Sequence, residues 1–234
     1  MYIKLVILII IMSISSVSAF ELKKNKKNFY QAKILASKIE KKAPGTFYCG
    51  CKIIWNNKKG IPDLNSCGYK IRKNKVRANR IEWEHVVPAS QFGNKRICWK
   101  IGGRSQCDKD SGYQKIETDL HNLRPAIGEI NGDRSNFLFE LIRNKKLVNQ
   151  YGKCSVKIDF KNKIIEPPEI ARGAIARTYF YMRDKYKIKL SDKQSYIMSI
   201  WNKKYKVSLW ECKRNNLISK YQGNYNFYIT NQCK

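Results

Sequence analysis

Apolar residues recur at helical spacing in two parts of the chain. Near the N-terminus they fall at Phe29, Ala32, Leu35 and Ile39, which predicts an amphipathic helix over residues 29–42. In the C-terminal third, Pro168 suits a helix start and Glu169 its first turn, and the stripe Ile170, Ala174, Ile175, Tyr179, Met182 comes after them. Ser191 with Gln194, and Ser208 with Glu211, have capping-box spacing. The helices behind them carry Ile197, Ile200 and Trp201, then Trp210, Leu217 and Ile218. At that spacing the aromatics read as core and not as a surface for stacking bases.

The middle of the chain is patterned differently. Tyr69 to Val87 alternates Ile and Val with basic residues and predicts strands joined by a polar turn. Cys154 to Ile165 reads as a hairpin around Lys161-Asn162. Residues 94–115 hold Gly102, Gly103, Gly112 and two cysteines, the composition of a stapled loop. Asp133 is placed to cap a helix running to about Lys145. No repeat and no linker rich in Pro, Gly or Ser interrupts the pattern. The expected fold class is therefore α+β, a single mixed domain from about residue 20 to the end.

The first residues fit a different purpose. Lys4 precedes an unbroken apolar run from Leu5 to Met12, and Val17-Ser18-Ala19 sets small residues where a signal peptidase cuts. That run is well short of the ~20 residues needed to cross a bilayer. Residues 1–19 are expected to be a cleaved signal peptide, giving a periplasmic or secreted chain that begins at Phe20 and has no membrane-spanning segment. The eight cysteines, an even number behind a leader, predict disulfides formed outside the cytoplasm. Eight cysteines allow 105 pairings, so spacing leaves the connectivity open. A zinc site fits poorly, since the only close pair is Cys49-Gly50-Cys51 and neither histidine is near a C-x₂-C.

Charge narrows the partner. Basic residues outnumber acidic ones 47 to 18, a net +29, spread along the whole chain. Such an excess attracts polyanions: DNA, RNA or anionic membrane surfaces. The abundance of Lys over Arg also fits a bias toward lysine together with solubility. The chain has only two histidines. His85 comes directly after Glu84 at the end of a predicted strand stopped by Pro88, and His121 sits in Asp119-Leu120-His121-Asn122. Phosphodiester hydrolysis needs a base that works near neutral pH and a cation to offset charge on the reacting phosphate. A hard cation such as Mg²⁺ takes oxygen ligands, and Glu84, Asp119, Asn122, Asn131 and Asp133 supply oxygens.

The stretch Glu82-Trp83-Glu84-His85-Val86-Val87-Pro88-Ala89, with Gln91-Phe92-Gly93 behind it, closely resembles the signature of the bacterial periplasmic endonuclease I family. Cys98-Trp99 with Gly102-Gly103-Arg104, Asp119-Leu120-His121-Asn122-Leu123 and Pro125-Ala126-Ile127-Gly128-Glu129-Ile130-Asn131-Gly132-Asp133-Arg134-Ser135-Asn136 extend the likeness. Gly173-Ala174-Ile175-Ala176-Arg177, Trp210-Glu211, Arg214-Asn215 and Gln222-Gly223-Asn224 carry it to the C-terminus, so it covers nearly all of residues 20–234. The resemblance implies a ββα-metal (His-Me finger) motif within the α+β domain. It implies that His85 is the general base, that Glu84 and Asn131 hold one Mg²⁺, with Mn²⁺ an acceptable substitute, and that Arg104 stabilises charge on the scissile phosphate. It further implies endonucleolytic cutting of DNA and RNA to 5′-phosphates, with the minor groove toward the site. One departure is local: the family commonly shows Asn-Pro after Gln-Gly-Asn, and Asn226-Phe227 stands here.

Neighbours on a regular strand face opposite ways, so Glu84 and His85 can share a phosphate only if the strand ends or bulges before Pro88. Asn131 is then expected at the start of the next helix. Glu117, Asp119, His121 and Asn122 read as a hydrogen-bonded shell that braces the site, with added ligands or a second base as the alternative. Cys98 and Cys107 flank Arg104 closely enough that a disulfide between them would pin it. The expected partners are DNA and RNA, held through the phosphate backbone by a monomer, without sequence preference because no base-reading module is present. Two rivals remain: a cationic extracellular nucleic-acid-binding protein without catalysis, and a membrane-active basic protein. The second wants a basic helix with a clean apolar face, which these C-terminal helices lack.

Overall fold

The computed structural model describes residues 28–143 and 147–233. The expected signal peptide and its cleavage point lie outside them. Among the described residues no helix is long and apolar enough to cross a membrane. The chain folds as mixed helices and strands.

Helix α1 (Phe29–Glu40) starts where the side chain of Asn28 accepts a hydrogen bond from the Gln31 backbone at 2.9 Å. Its buried stripe, Ala32, Ala36 and Ile39, packs with Leu120, Leu123 and Ile218 in a small core of its own. Strands β1 (Ile53–Asn56) and β2 (Lys59–Pro62) form an antiparallel hairpin.

The region expected to be strands from Tyr69 to Val87 is only partly so. Lys75–Ala78 is a short helix, α2, and Ile81–His85 is the strand β3. The segment before α2 is irregular because a buried carboxylate satisfies its backbone. Glu129 accepts from the amides of Arg72 (3.1 Å), Lys73 (2.7 Å) and Asn74, and from the Tyr69 hydroxyl (2.7 Å). Those donors are therefore not free to join a ladder.

Helices α3 (Ala89–Gly93), α4 (Ile97–Gln106) and α5 (Ser111–Glu117) come next. The expected loop over 94–115 is thus mostly helical, and its glycines kink α4 instead of unravelling it. Gly103 has φ +67, a left-handed conformation that favours glycine. Strand β4 (Leu123–Ile127) pairs antiparallel with β3, His85 opposite Leu123 and Ile81 opposite Ile127, and runs straight into α6 (Gly128–Arg134).

The helix expected from Asp133 does not form over the described residues up to 143, and its expected end near Lys145 lies outside them. Asp133 lies inside α6, and its carboxylate is taken by Arg72 (2.8 Å) and the Tyr151 hydroxyl (2.8 Å), which removes it as a cap. The chain reverses at Ser135, φ +51, and enters β5 (Leu138–Phe139). The hairpin between Cys154 and Ile165 is present as β6 (Lys157–Asp159) and β7 (Ile164–Glu166), with β5 added parallel to β7.

Helix α7 (Glu169–Tyr186) buries Ile175, Tyr179 and Met182 in the main core beside Phe139 and Trp201. Helices α8 (Asp192–Lys204), α9 (Leu209–Gln222) and α10 (Phe227–Thr230) complete the chain. The capping box at Ser208 and Glu211 is formed in both directions. At Ser191 only the forward bond exists, because the Gln194 amide is turned inward to the Phe139 carbonyl (2.8 Å). Asn226, at the departure from the family pattern, caps α10 through the Tyr228 amide (3.0 Å).

All eight cysteines pair, as Cys49–Cys154, Cys51–Cys67, Cys98–Cys107 and Cys212–Cys233. The first bond joins residues 105 apart and encloses β3, β4 and α6.

Candidate active site

Strand β3 ends at His85, and the turn into Val86 and Val87 is held by one amide side chain. Asn122, fully buried, accepts from the Val87 backbone N–H (2.7 Å) and donates to the Val87 carbonyl (2.9 Å). The Asn122 carbonyl itself accepts from Val86 (3.0 Å). Arg134, from α6, closes the other side by donating to the carbonyls of His85 (2.9 Å) and Val86 (2.7 Å). The backbone bends between these grips, and Glu84 and His85 both line one open cleft of about 440 Å³, together with Arg77, Trp99, Arg104 and Asn131.

Each of these side chains is fixed from behind. Glu84 is buried, and Arg134 (3.0 Å) and the Tyr48 hydroxyl (2.7 Å) both engage its Oε1, leaving Oε2 for the cleft. Burial raises the Glu84 pKa despite the adjacent arginine. Asn131 lies in the middle of α6 and not at its start. Its amide N–H donates to Glu82 (2.8 Å), which orients the amide so that its oxygen is the free end. Glu82 is itself held by Arg77 and Arg80.

His85 is buried, and its Nε2 lies 2.8 Å from the carbonyl oxygen of Glu117. A carbonyl only accepts, so Nε2 carries the hydrogen and Nδ1 keeps a lone pair. Burial, reinforced by the charges of Arg104 and Arg134, lowers the imidazole pKa to about 3, so the ring is neutral. The rings of Phe29 (centroids 5.2 Å, nearly parallel) and Phe92 (6.0 Å, tilted) flank it.

Arg104 comes directly after the kink in α4. Its Nε donates to the Glu117 carboxylate (2.7 Å), and its guanidinium carbon sits 5.0 Å from the centroid of the Phe29 ring. Glu117 therefore holds His85 by its main chain and Arg104 by its side chain. The Cys98–Cys107 bond spans the kink.

The remaining sequence-nominated residues lie behind the cleft. Asp119 is buried and accepts from the hydroxyls of Tyr181 (2.7 Å) and Tyr186 (2.6 Å), from Lys185 (3.2 Å), and from Gln222 (2.9 Å). His121 packs at a tilt against Tyr181 (centroids 4.6 Å apart, 54° between the planes) and reaches the Asn224 carbonyl (3.2 Å). These two fasten the segment between α5 and β4 to the C-terminal helices. Tyr48, Glu82 and Arg134 are partners to which the sequence analysis assigned no role. Glu82 and Arg134 stood inside the motif stretches, which is the signal that could have found them, whereas Tyr48 stood in none.

The donor set fits a hard divalent cation. Glu84 and Asn131, which offer one carboxylate and one amide oxygen beyond the pairs described above, line the same cleft, the kind of partial oxygen shell that Mg²⁺ completes with water and phosphate. Among the described residues no group of three or more His, Cys, Asp or Glu forms a metal cage.

Comparison with known proteins bears on this arrangement. The sequence model described as Endonuclease I matches residues 18–233. "Endonuclease-1" of Buchnera aphidicola subsp. Baizongia pistaciae (strain Bp) is 64% identical over 208 residues, 89% of this chain and 85% of that one. A "Periplasmic deoxyribonuclease" of Aeromonas hydrophila is 48% identical over 198 residues, 84% and 83% of the two chains. An "Extracellular ribonuclease" of Bacillus subtilis (strain 168) is 32% identical over 131 residues, 48% of this chain and 43% of that one.

Proposed function

The chain belongs to the endonuclease I family, and from that premise we propose that it is an exported, Mg²⁺-dependent endonuclease that hydrolyses phosphodiester bonds of DNA and RNA without sequence preference, leaving 5′-phosphates. The observation that carries the proposal is the convergence of Glu84, His85, Arg104 and Asn131 on one cleft, with the His85 ring held so that Nδ1 is free. In this reading β3, β4 and α6 make the ββα-metal motif. Relatives named deoxyribonuclease and ribonuclease support both substrates. Their periplasmic and extracellular names, the leader at residues 1–19 and the disulfides support export.

Glu84 Oε2 and Asn131 Oδ1 would hold the cation. When bound, Mg²⁺ supplies Lewis-acid stabilisation of the phosphate and the leaving oxygen. His85 Nδ1 accepts a proton from a water as the water oxygen bonds to phosphorus. The guanidinium of Arg104 donates to the non-bridging oxygens, where negative charge grows. The P–O3′ bond breaks, the 3′ oxygen takes a proton from solvent, and the phosphate stays on the 5′ side of the downstream nucleotide. Binding through phosphates explains the lack of sequence preference, and the net +29 supplies the attraction.

Cleavage of supercoiled plasmid by the oxidised mature protein tests this. Mg²⁺ is expected to give nicking and fragmentation that EDTA abolishes. His85→Ala should lose about 10²- to 10⁴-fold in rate, while gel-shift binding persists. Plasmid binding without cleavage, in Mg²⁺ or Mn²⁺, would refute the enzyme in favour of a non-catalytic binder.

A further inference from the structure

We infer that Phe29, the first residue of α1, is a positioning residue that sets the proposed base and the proposed phosphate-binding arginine relative to each other. The inference rests on the nuclease reading above. A single ring touches both groups: it stacks on His85 at 5.2 Å with 27° between the planes, and the Arg104 guanidinium carbon lies 5.0 Å from its centroid.

The need for such a contact comes from the other supports. The bond from His85 Nε2 to the Glu117 carbonyl fixes one point of the imidazole, about which the ring can still tilt. Phe92 meets it at 60° and leaves the plane open. A near-parallel ring removes that freedom and so aims the Nδ1 lone pair. Arg104 is likewise tied by its Nε to Glu117, and its side chain is otherwise 45% exposed. The face of Phe29 attracts its guanidinium and confines the swing of the free nitrogens. Glu117 and Phe29 thus brace the same two side chains from two elements distant in sequence.

Phe29 is itself anchored without help from the site. Asn28 caps the helix it begins, the apolar stripe of α1 packs on Leu120, Leu123 and Ile218, and Glu40 at the far end pairs with the buried Arg214. A change at position 29 therefore leaves α1 docked.

The test compares wild type, Phe29→Leu and Phe29→Tyr for plasmid-cleavage kinetics, gel-shift affinity in EDTA and thermal midpoint. Misplacing catalytic groups slightly costs rate, not binding, so Phe29→Leu should lose about 10-fold or more in kcat with KM and affinity within about twofold. Its thermal midpoint should stay close to wild type, and Phe29→Tyr, which restores the ring, should recover kcat. Wild-type kcat in Phe29→Leu, or a loss confined to KM or matched by unfolding, overturns the inference alone. A wild type that never cuts overturns the nuclease reading and this inference together.

Discussion

Glu84 and His85 are adjacent, and on a continued strand they would face away from each other. The bend that brings them to one cleft is held by Arg134, which binds the carboxylate of Glu84 and the carbonyls of His85 and Val86. Arg134→Met would leave a buried carboxylate with no cation and two carbonyls with no donor. The expected cost is about 3–5 kcal/mol, read as a lower urea midpoint with an unchanged slope. A shift under about 1 kcal/mol would mean that the bend has other support. At this scale the sequence was informative for side chains with distinctive chemistry and for the bracing residues Glu117 and Asn122, and blind to supports that arrive only by tertiary packing. His85, Glu84, Arg104 and Asn131 stand in motifs. Tyr48 lies 36 residues before Glu84 and meets it only through tertiary packing. Phe29 looked like any other member of an apolar stripe, because periodicity says that a face is buried and not what it touches.

Periodicity was most reliable for the long elements. The C-terminal helices, α1 and the β6–β7 hairpin form where their patterns put them because their own residues satisfy their own backbone, although Ile170 and Ile200 of the expected stripes are exposed. Apart from the expected loop over 94–115, which is mostly helical, two misreadings fell where a carboxylate is engaged by distant partners. Glu129 draws residues 72–74 out of a strand, and Asp133 is engaged by Arg72 and Tyr151 instead of capping a helix. Asn131 moved from the start of α6 to its middle for the related reason that β4 enters the helix with no intervening loop. The kinked α4 shows a short element presenting the proposed phosphate-binding arginine. Gly103 breaks the helix just before Arg104, and Cys98–Cys107 holds the ends of the break together. A Cys98→Ser/Cys107→Ser double variant should lose about 2–3 kcal/mol by the chain-entropy estimate, keep its fold, and lose about 10-fold or more in plasmid cleavage as Arg104 drifts. Full activity and full stability in that variant would show that Glu117 and Phe29 suffice.

Across the whole molecule, buried imidazole sets an acid limit. His121 is buried, and burial together with the charges of Arg214 and Lys185 outweighs Asp119, lowering its pKa from 6.5 to about 4. Between those values the unfolded chain binds the proton and the folded chain does not. The stability that neutral His121 allows is therefore complete above about pH 6.5 and falls as pH drops toward 4, by roughly 3 kcal/mol in all. Asp119, whose pKa is lowered in the fold, adds its own loss only further into acid. Urea unfolding at pH 7 and pH 4.5 should show wild type losing about 2 kcal/mol more over that interval than His121→Phe, which cannot take up a proton there. Parallel losses in the two proteins would place the acid sensitivity elsewhere.

The Cys49–Cys154 bond has a consequence of a different kind. Every residue assigned to the cleft, from Glu84 through Arg104 and Glu117 to Arg134, lies between the two cysteines. That stretch is a covalent ring. One proteolytic nick inside it opens the ring without separating any of these cleft side chains from another, whereas the same nick in a linear chain would make two diffusible fragments. For a protein exported as proposed above, the ring turns a first backbone cut from an inactivating event into a tolerable one.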